Sequence, residues 1–343
     1  MDKFLNESDS LSSSIQQQAV ELYHRLNSFS IDELDIPYYC KEYYKGSHSR
    51  RLFFSIETSA HILYRAIKLS GKAPGELVLM DYGAGVGSLF LLAKMIGSRV
   101  IYNDHLDDWK NSAMAIAKKI RVDIDHYVVG DIAETLEEIG KINLECDLIL
   151  SRNVIEHIYK LNDFFNLVHV KQPRAIIFSS TTANFMNPAS VIKHKLWHQK
   201  WEKEFVLTRE EMIRKQRPGL NETSIKKLAV KTRGLAMEEL SLVVRNFNGS
   251  AYPDPSVFRT NTCDPTNGVW FEHMLSIREY RGLINQHVYT TRFEPGFWDT
   301  HNKSNKKNIL GKSLNSLMKL GWKTAMSLAP FIYVIAIPKK AQN

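Results

Sequence analysis

The chain has 343 residues, 44% of them hydrophobic and 24% charged, with a mean hydropathy of -0.27. That length exceeds one average domain, and that composition excludes a fibrous, repetitive, disordered or membrane-embedded chain. The net charge of +8 is uneven: residues 184 to 343 hold 25 Lys+Arg against 13 Asp+Glu (+12), and residues 1 to 183 hold 20 against 24 (-4). A basic second half can draw in an anionic acceptor, an acidic lipid surface or nucleic acid. A solvated basic surface gives the same count.

Met1 to Ser14 is polar and partly acidic, without the basic start and apolar run of a secretory leader, so a cytoplasmic location is expected. The apolar run Leu328 to Pro338 is interrupted by Pro330 and is far shorter than the roughly 20 residues of a membrane span, so it reads as a buried strand. Cys40, Cys146 and Cys263 are odd in number and lack CxxC spacing, which indicates neither a disulfide framework nor a zinc site. No metal is expected on this evidence.

In chain order, Ile15, Ala19, Leu22 and Leu26 recur at helical spacing between Ser12 and about Leu34. Phe54 to Leu69 does the same after the aromatic patch Tyr38, Tyr39, Tyr43 and Tyr44, so residues 1–75 read as a helical cap. Pro74 and Gly75 punctuate, and Glu76 to Tyr82 is a buried parallel strand. Regular alternation follows: helix over Leu89 to Ile96, strand over Arg99 to Asn103, helix over Trp109 to Ile120, strands over His126 to Val129 and Cys146 to Ser151, helix over Leu161 to Val168, strand over Ala175 to Ser179. This pattern predicts an α/β, Rossmann-like, mostly parallel sheet with helices on both faces, its core spanning 76–183.

After Thr182 the alternation stops. Residues to about Arg245 are helical in character, with Trp197 and Trp201 four apart, and Gly249 to Gly268 is a Pro- and Asn-rich irregular loop. Residues 184–275 therefore read as an inserted lid, holding His194, His198, Arg209, Arg214, Lys215 and Arg217 as cations for a carboxylate or phosphate. Residues 276–343, with a helix around Leu314 to Met318 between strands at Gln286 to Phe293 and Pro330 to Ile337, complete the sheet.

The chemistry-bearing signal is Leu79-Met80-Asp81-Tyr82-Gly83-Ala84-Gly85-Val86-Gly87, a strand running into a glycine loop and then a helix. Alternate glycines permit a tight turn and let backbone N–H groups approach a ligand at the positive end of the helix. The dinucleotide fingerprint G-x-G-x-x-G would place its last glycine where Ser88 stands. An acid at position 81 would repel a pyrophosphate but favours the cationic methionine portion of S-adenosylmethionine. Asp104, ending the second strand, can accept from both ribose hydroxyls, with His105 beside it. Asp131 after the third strand can accept from an adenine amino group, with Ile132 packing on the ring. Asn153, Glu156 and His157 follow the fourth strand, whose carboxyl end faces the crevice where open α/β sheets bind ligands.

With these four motifs in order, residues 76 to 182 resemble class I S-adenosylmethionine-dependent methyltransferases, particularly the small-molecule branch whose fourth motif often ends in Glu-His. The resemblance implies a seven-stranded sheet closed by an antiparallel pair. It also implies a cofactor site in which Asp81, Gly83 and Gly85 line the methionine end, Asp104 the ribose, Asp131 the adenine and Asn153 the sulfonium side, with Tyr82, Ala84, Gly87, His105, Ile132 and Glu156 as further cofactor-binding residues. No Asn-Pro-Pro-Tyr or Asp-Pro-Pro-Tyr run follows the fourth strand, which argues against methylation of a nucleic-acid base amine. Cys146, at a strand start, reads as core.

Methyl transfer needs two positioned reactants and a sink for one proton, and His157 and His273, each in a Glu-His pair, are the general-base candidates. Val269-Trp270-Phe271 offers aromatics to wall an acceptor, and Tyr43, Tyr44, His48 and Arg50 offer a cover for the donor. The reading is an O- or N-methyltransferase for a small-molecule or glycan acceptor of anionic character. An RNA methyltransferase using the basic half, a non-catalytic binding module and a dehydrogenase are the alternatives.

Overall fold

The computed structural model describes residues 3–249, 252, 262–266, 268 and 272–339. Seven strands form one sheet: β1 (Val78–Tyr82), β2 (Arg99–Asp104), β3 (His126–Val129), β4 (Leu148–Arg152), β5 (Ile176–Thr181), β6 (Tyr289–Pro295) and β7 (Ile332–Pro338). Their order is β3-β2-β1-β4-β5-β7-β6. Strands β1 to β5 pair in parallel, whereas β7 runs antiparallel to both β5 and β6. The two late strands thus close the sheet as the resemblance implies. The chain leaves β1 towards β2 and β3 and returns to the other side for β4, so a crevice opens between the carboxyl ends of β1 and β4.

Alternation along the strands divides the core by face. Leu79, Val100, Tyr102, Leu150, Phe178 and Tyr333 point to a layer made by α1 (Ser10–Asn27), α3 (Leu52–Ser70), α4 (Leu89–Met95) and α5 (Asp107–Lys119). Met80, Ile101, Ile149, Ile177 and Val334 point to the opposite layer, α6 (Ile132–Lys141), α7 (Leu161–Lys171), α11 (Ile277–Asn285) and α13 (Trp322–Leu328). The helices of the N-terminal cap therefore share one core with the sheet. The inserted region has its own small core, built from Ile213 of α8 (Pro188–Gln216), Ile225 and Leu228 of α9 (Glu222–Lys231), and Leu240 and Val244 of α10 (Met237–Asn246).

Some boundaries differ from those read in the sequence, each for a local reason. The first helix ends at Asn27, because Ser30 and Glu33 form a capping box that starts a separate turn at Ile31–Glu33. Helix α6 was not anticipated; its signal is the capping box of Asp131 and Glu134. Strand β4 starts at Leu148 and not Cys146, since the Asp147 carboxylate accepts from Val78 N–H (3.0 Å) and Cys146 N–H donates to Gln172 Oε1 (2.8 Å). Helix α12 (Asn305–Leu317) begins nine residues before the expected Leu314. Most of the Gly249 to Gly268 loop and all of Val269-Trp270-Phe271 lie outside the described residues. No helix among the described residues is long and apolar enough to cross a membrane.

Phe178 is fully buried between α3 and the sheet, its ring 5.4 Å from that of Tyr333. Phe178→Ala should lower unfolding free energy by about 3–5 kcal/mol in chemical denaturation, as expected for an unfilled core cavity. A loss under about 1 kcal/mol would contradict this packing.

Candidate active site

The turn after β1 carries two left-handed glycines, Gly83 (φ 68°) and Gly85 (φ 52°). At Gly83 the need is also steric, since a Cβ would stand 2.7 Å from Val154 Cγ2. The end of β2 holds this turn from below. Ala84 N–H donates to Asn103 O (2.8 Å), Gly85 N–H to Asp104 Oδ2 (2.8 Å), and the Tyr102 hydroxyl to Gly85 O (2.9 Å). Asn103 Nδ2 continues the network to Gly130 O (3.0 Å) and Thr135 Oγ1 (2.7 Å), tying the end of β3 to the same edge.

Asp81 ends on this edge, buried, its Oδ2 accepting from Phe90 N–H (2.9 Å) in the first turn of α4. Burial pushes its carboxyl up to about 7, with Arg152 and the Phe90 amide opposing and Asp104 adding to the rise. A carboxylate so placed favours a cationic ligand group. Asp104 is also buried and accepts from His105 N–H (2.8 Å) through Oδ1; His105 Nδ1 lies 3.1 Å from the same oxygen, which raises the histidine's pKa.

Two cavities adjoin at the crevice. The first, about 110 Å³, is lined by Asp81, Gly83, Ala84, Gly85 and Gly87 below and by Tyr43 and His48 above. The second, about 130 Å³, is lined by Arg51, Ser55, Thr58, Ser180 and Thr182, with Phe54 and Phe331 as apolar walls. Arg152 and Asn153 line both. The Arg152 guanidinium donates from one nitrogen to Ser55 O (2.8 Å) and Ser55 Oγ (2.7 Å). Asn153 is left-handed (φ 57°), a conformation that asparagine tolerates and that turns the chain sharply off β4. A π-helical turn at Tyr44–His48 precedes α3 and delivers Ser47 to one cavity and His48 to the other. Burial and the nearby Arg152 hold the His48 imidazole neutral, its pKa lowered to about 3.

Of the residues singled out in the sequence, Tyr43, His48, Asp81, Gly83, Ala84, Gly85, Gly87 and Asn153 meet at the smaller cavity. The others surround it. Tyr82 packs on Phe164 (centroids 5.2 Å apart), and Asp131 caps α6 through Ala133 and Glu134 N–H, with Ile132 buried in its first turn. Glu156 is fully buried and accepts from Thr182 N–H (3.3 Å). His157 is exposed on the turn after β4, and His273 donates from Nε2 to Ile158 O (2.9 Å). Neither histidine lines either cavity. The arginines of the inserted region find partners within it: Arg209 in Glu202 and Ala229 O, Arg214 in Glu222 (3.0 Å), Arg217 in Val244 O (3.1 Å). The cations that line the larger cavity are instead Arg152 and Arg51, the latter also paired through Nε with the buried Asp299 (3.3 Å), and no sequence motif marks either.

Behind the larger cavity three buried side chains of the inserted region converge. Glu272 Oε2 lies 2.7 Å from His194 Nδ1 and 2.6 Å from His198 Nε2.

No protein-family model and no curated protein matches the chain. Among solved structures it is similar to a SAM-dependent methyltransferase from Archaeoglobus fulgidus (13% identity, 88% of this chain and 100% of that one, TM-score 0.43). It is similar also to the magnesium protoporphyrin IX methyltransferase of Synechocystis PCC 6803, solved with bound SAH (12% identity, 94% and 100%, TM-score 0.41). A third is the PH0226 protein of Pyrococcus horikoshii OT3 (23% identity, 41% and 62%, TM-score 0.31). What decides the fold is the sheet itself, with its order and its one reversed strand. The chain has a Rossmann-like α/β fold, a seven-stranded, mostly parallel sheet with helices on both faces.

The raised carboxyl of Asp81 sets a pH test. The folded chain binds this proton more tightly than the unfolded chain, whose aspartate titrates near 3.8, so ionisation costs stability increasingly as pH rises from about 4 through about 7. Asp81→Asn, without ligand, should therefore melt higher than wild type at pH 8, with the gap closing towards pH 4. A gap independent of pH would contradict the burial of an ionising group here.

Proposed function

We propose that the chain is an S-adenosylmethionine-dependent methyltransferase whose acceptor is a small molecule or glycan with an anionic group, methylated on oxygen or nitrogen. The observation that carries the reading is the pair of cavities meeting at Arg152 and Asn153, one over the glycine turn and one faced with arginines and hydroxyls. The donor, when bound, supplies an electrophilic methyl on sulfonium sulfur. Asp81 and the turn from Gly83 to Gly87 suit its cationic methionine end. Asp104, whose oxygens already organise Gly85 and His105, stands where a ribose would pass.

Arg51 and Arg152 would hold a carboxylate or phosphate of the acceptor, while Ser55, Thr58, Ser180 and Thr182 supply hydroxyls for a polyhydroxylated body. Ser180 Oγ is buried without a partner, so it has bonding capacity to offer. Orientation carries the catalysis in this reading, because methyl transfer is an in-line displacement with an already activated carbon. His157 and His273 serve as supports of the turn beside the site. The absence of an Asn-Pro-Pro-Tyr run and the narrow, hydroxyl-lined cavity favour this acceptor class over RNA.

S-adenosylmethionine, and not NAD, should raise the melting temperature, with about 2.7 kcal/mol of added stability at a concentration 100 times Kd. Isotope-labelled donor incubated with fractionated extract should label a small-molecule or glycan fraction. Label only in RNA would overturn the acceptor reading, and no label with no thermal shift would overturn the enzyme reading. Arg51→Gln should raise KM for an anionic acceptor by about 10- to 100-fold, the worth of one charge-assisted bond, with donor affinity unchanged. An unchanged KM would remove Arg51 from the acceptor site.

A further inference from the structure

His194 and His198 stand one turn apart on α8, so their rings project from one side of the helix. Glu272 lies 74 residues beyond His198 in the chain, and its Oε2 alone meets both rings. The exposures of the three side chains are 1%, 0% and 7%. His198 Nδ1 has no partner.

Proton accounting shows what this geometry requires. His194 Nε2 lies 3.3 Å from the backbone carbonyl of Thr182. A carbonyl only accepts, so Nε2 carries the proton, and a neutral imidazole then presents a bare lone pair at Nδ1. That lone pair faces a carboxylate oxygen 2.7 Å away. Two lone pairs at that distance repel, so positive charge belongs between them. The Glu156 carboxylate is one peptide unit off, accepting from the N–H of the same Thr182, and its Oε2 is buried without a partner. Burial favours the neutral form of Glu156, whereas Glu272, held between two rings, stays ionised, and a buried carboxylate needs positive charge beside it, carried by an imidazolium or by a bound cation.

We propose that His194, His198 and Glu272 form a site for one divalent cation of the zinc class. Two imidazole nitrogens and one carboxylate oxygen suit such a borderline ion and not magnesium or calcium, which take oxygen ligands. Donors at zinc distances in tetrahedral array stand about 3.3 Å apart, so binding needs the cluster to open by about 0.6 Å, within reach of side-chain rotation. Three protein ligands leave a fourth position for water or another donor, and the burial of all three points to a role in holding the fold. The ion would join α8 to Glu272 and, through the His194–Thr182 bond, to the carboxyl end of β5. Thr182 lines the larger cavity, so the ion would fix the lid over the acceptor side. The inference is independent of the proposed methyl transfer.

The test uses the full-length chain, purified without chelator, assayed for metal, then stripped and titrated with zinc or cobalt(II). Expected are about one equivalent of metal per chain, visible cobalt d–d bands, and a melting temperature that falls on stripping and recovers with zinc but not with magnesium. His198→Gln and Glu272→Gln should each weaken metal binding by at least about 100-fold. Circular dichroism of these variants separates ligand loss from misfolding, and the cobalt spectrum of wild type stands whatever the variants do. No retained metal, no cobalt bands and no response to zinc would overturn the proposal and leave a buried imidazolium–carboxylate cluster in its place.

Discussion

One carboxylate, Asp104, holds the edge on which the rest depends. Its Oδ2 takes the N–H of Gly85 and its Oδ1 that of His105, so a single buried group fixes both the glycine turn after β1 and the exit from β2. The turn has no regular ladder of its own. Without that acceptor the half-buried Gly85 N–H would lose a bond to a charged group, a loss of about 1.5–3 kcal/mol, and the left-handed pair Gly83 and Gly85 would lose its brace. Tyr102 and Asn103, from the same strand, complete the support from either side.

The sheet order gives that brace its use. Because the order of strand addition reverses at β1, with β2 and β3 laid to one side and β4 to the other, the turn after β1 faces the end of β4, and Arg152 and Asn153 stand across the crevice from Asp81. Arg152 then has two neighbourhoods: it moderates the burial of Asp81 on one side and adds charge to a hydroxyl-lined cavity on the other. A donor and an acceptor placed in these neighbouring spaces would meet at the same residue pair. The N-terminal helices are what close the space from above, through the irregular turn that carries Ser47 and His48.

Much of this was legible in the sequence because it is local. Buried parallel strands are short apolar runs, and Asp81, Gly83 and Gly85 follow one of them directly. What escaped was set by tertiary contact or by competing meanings of one residue. Asp131 reads as an adenine partner from its place after a strand, and in the fold its Oδ1 also caps α6, a helix whose start it announces together with Glu134. Arg152 is one more basic residue until Ser55, 97 positions earlier, takes its guanidinium. His194 and His198 show helical spacing in the sequence, but the Glu272 that joins them stands 74 residues further along the chain than His198. Arg209, Arg214 and Arg217 offer cations in the sequence, and only the fold shows them paired within the inserted region, Arg209 buried and Arg214 on its surface.

The central claim is that the turn from Gly83 to Gly87, braced by Asp104, is a nucleoside site. The most direct measurement is a crystal structure of the chain with S-adenosylhomocysteine. The account requires the methionine end over Gly83 and Gly85 near Asp81, with the ribose at Asp104. Density for the ligand elsewhere, or none at saturating concentration with that turn open to solvent, would contradict it.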